Sequence, residues 1–138
     1  MKVIVDTNIV LDVLLARTPF VDTAAEVFAL VERSRMQGLL YATTFTTVDY
    51  LLQKAMPAKE ARAAIGRLLS LFDVAPVTRA VIENALKSRM DDFEDAVLDQ
   101  AGRLAGAEAV LTRNVRDFAR SSLPASDPIE FLARYRAP

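Results

Sequence analysis

Lys2-Val3-Ile4-Val5-Asp6-Thr7-Asn8-Ile9-Val10-Leu11-Asp12 is the stretch on which the reading of the whole chain turns. Lys2 to Val5 is rich in β-branched residues and does not alternate with polar ones, as expected of a strand buried on both faces of a sheet. Asp6-Thr7-Asn8 ends it, and Ile9, Val10, Val13 and Leu14 then recur at helical spacing. Parallel strands need crossover connections, so a strand running directly into a helix predicts a parallel α/β arrangement.

The rest of the chain repeats that alternation. Helical spacing covers Phe20 to Arg35, with Ala24, Val27, Phe28 and Val31 on the inner stripe and Gly38 as the stop. A strand is predicted at Leu39 to Thr43, then helices at Thr44 to Ala55 and Ala58 to Leu71, separated near Pro57. A short strand around Val74 to Val77 precedes helices at Thr78 to Met90 and Asp92 to Leu104, the latter ended by Gly106. Ala109 to Thr112 reads as the last strand, followed by a turn at Leu123 to Pro128 and a helix near Ile129 to Tyr135. One domain over 1–138 is expected, with a parallel sheet covered on both faces.

Composition narrows the chemistry. The 138 residues are 52% apolar, enough for a core, and carry 17 basic and 18 acidic side chains, a net charge of −1. Any basic surface for nucleic acid must therefore be local. The chain has no cysteine and no histidine, which excludes disulfides, thiolate and imidazole metal sites and the Ser-His-Asp triad. Asp6 and Asp12 interrupt the apolar N-terminus, unlike a signal peptide, and no uncharged stretch is long enough to span a bilayer. A soluble, cytoplasmic protein without a membrane segment is the expectation.

In parallel sheets, ligands bind outside the carboxyl ends of the strands, so the residues just after each strand carry the functional question. Asp6 stands there, and as a helix N-cap it would equally satisfy a free N–H. Asp49 falls on a helical stripe with Phe45, Leu52 and Met56; a carboxylate there needs a cation, a raised pKa or an escape to solvent. Asp91-Asp92-Phe93-Glu94-Asp95 opens a helix, which suits its dipole. Asp92, Asp95 and Asp99 fall on one side of that helix, with Phe93, Val97 and Leu104 predicted on the buried side, and like charges so spaced repel. The fourth cluster, Thr112-Arg113-Asn114-Val115-Arg116-Asp117-Phe118, contains turn formers at a strand end. Carboxylates gathered from such points repel unless a divalent cation lies among them, and oxygen-only donors favour Mg²⁺ or Mn²⁺.

These four segments resemble the motifs of the PIN-domain nuclease family, most of all its VapC-type toxin ribonucleases. Val3 to Asp12 is similar to the first motif, with Asp6 as its acid; Thr43 to Asp49 to the second, where Asp49 stands in place of the more usual glutamate. Asp92 to Val97 is similar to the third, with Asp95 as the acid, and Leu111 to Phe118 to the fourth, where Asn114 holds a position often taken by aspartate and Asp117 lies three residues on. The resemblance implies a three-layer α/β/α sandwich and a Mg²⁺- or Mn²⁺-dependent endoribonuclease. In it Asp6, Asp49 and Asp95 would hold metal, and Asn114 or Asp117 would complete the site. It also implies a homodimer and a cognate antitoxin. Thr7, Asn8, Arg113 and Arg116 are the candidates for contact with RNA, with Arg17 and Arg120 as further cations; each is otherwise a capping residue or a solvated charge.

Two other classes remain open from sequence. A binding module with weak catalysis is favoured by the short Asp49 side chain and by Asn114. A magnesium-dependent phosphatase would be expected to carry Asp-x-Asp after the first strand, where this chain has Asp6-Thr7-Asn8. There is no Gly-rich phosphate loop.

Overall fold

The computed structural model describes residues 1–136; the last two residues of the expected 1–138 domain lie outside the described residues. In chain order the elements are β1 (Lys2–Val5), α1 (Thr7–Leu14), α2 (Val21–Glu32), β2 (Gln37–Tyr41), α3 (Ala42–Leu52), α4 (Ala58–Leu71) and β3 (Asp73–Ala75). These are followed by α5 (Arg79–Leu86), α6 (Phe93–Leu104), β4 (Ala109–Leu111), a 3-10 turn (Val115–Phe118), β5 (Ala125–Ser126) and α7 (Pro128–Arg136). The five strands form one sheet in the order β3-β2-β1-β4-β5, with every neighbouring pair parallel.

Side-chain alternation along these strands feeds two cores. Val3, Val5, Leu40, Ala109 and Leu111 face one side, where they meet α1 to α4 and α7. Ile4, Leu39, Tyr41 and Val110 face the other, against α5 and α6. The result is the expected three-layer α/β/α sandwich, with a wholly parallel sheet. Among the described residues no helix is long and apolar enough to cross a membrane.

Several element boundaries differ from the sequence expectation. Gly38 does not stop a helix: α2 ends at Glu32 and Gly38 lies inside β2. Its missing side chain has a packing reason, because a Cβ there would lie 2.6 Å from the Phe72 ring. The stretch from Leu123 to Pro128 contains β5, a strand of two residues, too short to leave a periodic signal. Thr78 and Asp92 are N-caps rather than helical residues, each accepting a backbone N–H three residues on. The buried side of α6 also differs: Phe93 and Leu104 are about half exposed, at 49% and 50%, while Ala96, Val97, Leu98 and Ala101 are buried. Gly106 does end α6, with φ +89°.

Candidate active site

Because all strands run one way, their carboxyl ends share one edge, and β1 lies between β2 and β4. The chain leaves β1 toward β2 on one side while β4 lies on the other, so the crevice expected at a change in strand order opens after β1 and β4. Asp6 follows β1 there, and its backbone N–H donates to the Leu111 carbonyl at 2.9 Å.

Asp6 occupies the N-cap position of α1 but makes no side-chain capping bond. Its Oδ2 instead accepts from the Thr112 hydroxyl at 2.8 Å. Thr112 is fully buried, and its oxygen also accepts the Asn114 N–H at 3.0 Å. One hydroxyl thus fixes Asp6 and the chain leaving β4 together. Burial pushes the Asp6 carboxyl up; the Thr112 bond and the nearby Thr7 N–H oppose that, Glu94 adds to it, and Arg113 opposes it weakly.

Asp95 is half-buried in the first turn of α6, where Asp92 caps its N–H at 2.9 Å. Burial first, then the negative charges of Asp92, Asp6, Asp117 and Glu94, push its carboxyl up to about 7. Asp6 and Asp117, from two distant parts of the chain, therefore both bear on Asp95. Tyr41, buried at the end of β2, donates its hydroxyl to Glu94 Oε1 at 3.3 Å, and burial together with Glu94 and Asp6 raises its pKa.

Asp49 comes from α3, the helix that follows β2. Thr44, Val48 and Leu52 are the buried residues of α3, Phe45 and Met56 pack against the same core, and Asp49, on the side they share, is half-buried. One oxygen accepts from Gln53 at 2.8 Å. The other, Oδ1, is buried without a hydrogen-bond partner. Among the described residues no three acidic side chains are close enough to hold one ion by themselves.

The remaining candidates divide. Thr7 pairs its hydroxyl with Thr44 at 2.8 Å, joining α1 to α3, and Asn8 is half-buried beside it. Asn114, Arg116, Asp117 and Arg120 are exposed. Arg116, Asp117 and Arg120 line a cleft of about 260 Å³ with Met90, Asp91 and Asp92, so these cations do adjoin the acids. Arg113 does not present its charge to solvent in this way: its guanidinium grips Asp12 at 2.7 and 3.2 Å and lies 3.9 Å over the Phe20 ring. Arg17 also approaches Asp12, at 3.8 Å. Asp99, grouped with Asp92 and Asp95 from spacing, is buried at 1% exposure and accepts from Ser122 and Leu123 instead.

Sequence reasoning gave no site role to Thr112, Glu94 or Tyr41. Thr112 had a usable signal, because it follows the strand paired with β1 as directly as Asp6 follows β1. Glu94 and Tyr41 meet through tertiary packing and had none.

A PIN domain family model matches residues 2–116. No curated protein matches the sequence significantly. Solved structures match closely in shape. A toxin–antitoxin complex from Klebsiella pneumoniae is 23% identical, with 91% of this chain and 97% of that chain covered and a TM-score of 0.69. VapBC-1 from nontypeable Haemophilus influenzae is 17% identical, with 94% and 99% covered and a TM-score of 0.70. VapC20 of Mycobacterium tuberculosis, described as a sarcin–ricin loop cleaving toxin, is 22% identical, with 78% and 86% covered and a TM-score of 0.62. At these identities the likeness is one of fold.

Proposed function

Starting from the premise that this chain belongs to the PIN domain family, we propose that it is a metal-dependent endoribonuclease, the toxin of a VapBC-type pair. The observation that carries this reading is the convergence of Asp6 and Asp117 on Asp95 at the carboxyl edge of β1 and β4, where their charges help raise the Asp95 carboxyl. Such a group is costly unless positive charge lies near it.

The donors fit a hard divalent cation such as Mg²⁺ or Mn²⁺. They are oxygens without exception, two carboxyls are raised by burial and like charge, and Asp49 holds a buried oxygen with no partner. Asp6, Asp49 and Asp95 would hold the ion, with Asn114 or Asp117 and water completing the donors. When bound, the ion supplies Lewis acidity and positive charge against the phosphodiester. The protein does the positioning: Thr112 aims Asp6, Asp92 fixes the first turn that carries Asp95, and Arg116 and Arg120 neutralise backbone phosphates beside the acids. Thr7 and Asn8 border the same edge. With no histidine in the chain, carboxylates and hydroxyls are its acid–base groups near the site.

The fold shared with the Klebsiella and Haemophilus complexes supports an antitoxin partner, and a cytoplasmic setting belongs to the same proposal. A homodimer is part of the same proposal. A second reading, an RNA- or protein-binding module with weak catalysis, is favoured by one observation: among the described residues no three acids are gathered at ligand distance. RNA cleavage by the purified protein in Mg²⁺ and in Mn²⁺ decides between them. Asp6→Asn and Asp95→Asn should each abolish cleavage while remaining folded; full cleavage by both variants rejects the site.

A further inference from the structure

Two buried carboxylates lie outside the acid group, and both reach the same segment. Asp12, on α1, has no exposed surface and holds Arg113 by a two-pronged contact. Asp99, on α6, accepts the Ser122 N–H at 2.8 Å, the Ser122 hydroxyl at 2.9 Å and the Leu123 N–H at 3.0 Å. Between these grips the chain carries only the 3-10 turn, whose single buried side chain is Phe118. Asn114, Arg116, Asp117 and Arg120 are exposed, so Phe118, which belongs to the core on the α6 side of the sheet, is the main apolar anchor of this stretch.

We propose that Asp12 and Asp99 are positioning residues: they clamp the two ends of the segment from Thr112 to Leu123 and hold Asp117, Arg116 and Arg120 in register with Asp6 and Asp95. The placement of the clamps supports this role. Asp12 is on the helix that begins just after Asp6, and Asp99 is one turn beyond Asp95 on α6. Each clamp thus ties the segment to the same helix that positions one acid of the pocket. Apolar residues of similar volume would often stabilise such interior positions as well as ion pairs do. What a charged grip adds is direction, since an arginine fork or a pair of N–H donors fits a carboxylate in few orientations. The proposal rests on the nuclease reading only for its catalytic consequence; the clamp itself is a statement about the segment.

The test combines amide hydrogen exchange with steady-state cleavage of a short labelled RNA in Mg²⁺, using Asp12→Asn, Asp99→Asn and the double variant. Arg113→Lys, which keeps charge but loses the fork, and Ser122→Ala, which leaves both backbone donors, are milder versions should the first pair fold poorly. The clamp predicts exchange about 10-fold faster at amides 114–121 in each single variant, with α3 and α4 unchanged. It predicts kcat lower by about 10-fold to 100-fold at saturating RNA. Because both clamps hold one segment, the double variant should lose far less than the product of the single losses. The milder variants should shift the same amides and kcat in the same direction by smaller factors. Unchanged exchange at 114–121, loosening without loss of kcat, or losses that multiply would each overturn the proposal. A wild-type protein that cleaves no RNA would remove the nuclease reading, and the exchange results would still decide the clamp.

Discussion

Replacing Asp95 with asparagine should stabilise the metal-free protein at pH 8 and leave it nearly unchanged at pH 4. The folded environment pushes this carboxyl from 3.8 up to about 7, chiefly by burial and then by Asp92, Asp6, Asp117 and Glu94. An acid raised on folding binds its proton more tightly in the native state, so the native state loses stability as pH climbs from about 4 to about 7. Three units correspond to about 4 kcal/mol at ~1.4 kcal/mol per unit. Asp95 is only half-buried, and solvent screening brings this to about 2 kcal/mol. Losing a favourable charge in the first turn of α6 offsets about 0.5 kcal/mol. The net gain of about 1.5 kcal/mol corresponds to roughly 5 °C in Tm for a chain of this size. Scanning calorimetry in chelator at the two pH values measures it. A variant that melts below wild type at pH 8, or gains equally at both pH values, would refute the electrostatic account of the pocket. Saturating Mg²⁺ should reverse the order at pH 8, because a ligand at 100 times its Kd adds about 2.7 kcal/mol to the form that binds it.

Thr112→Val leaves the buried Asp6 Oδ2 without its donor and should cost about 1–3 kcal/mol by urea unfolding, most at high pH where Asp6 is ionised. Arg116→Ala should weaken RNA binding and lower the slope of log K against log salt by about 1; an unchanged slope takes Arg116 off the phosphate path. Arg113→Ala should behave differently, destabilising the fold by about 3–5 kcal/mol because it strands a buried Asp12, which thermal melts would show at once. Gly102→Ala places a Cβ 2.8 Å from Ile4 Cγ2 and should cost about 1–3 kcal/mol through overpacking between α6 and β1.

What the sequence made legible was set by how local each signal is. The run from Lys2 to Val5 and the helical spacings after it disclosed the alternating layout, because burial on both faces of a strand and one face of a helix is written in adjacent residues. Gly38 misled as a helix stop because its cause, the Phe72 ring, is remote in sequence. Phe93 sits on an apolar-looking stripe, yet α6 packs on the sheet and α5 through Ala96, Val97, Leu98 and Ala101, and its terminal aromatic stays half exposed. Asp6 and Asp95 were visible at element boundaries, where dipoles and strand ends concentrate polar groups. Asp99 obeyed the same spacing as its acidic neighbours and still belongs elsewhere, since no periodicity announces a loop arriving from residues 122 and 123. Asp49 was legible from its spacing with Phe45, Leu52 and Met56, but spacing could not tell that one of its oxygens would be enclosed without a donor.

The central place of β1 has a consequence for biosynthesis. β1, made before the other strands of its sheet, must wait for β4, because the bond between Thr112 and Asp6 spans 106 residues. Closing so distant a pair is slow, and the strands synthesised in between can form only part of the sheet. The pocket therefore cannot form as soon as Asp6 is made, because the hydroxyl that aims this acid is added 106 residues later.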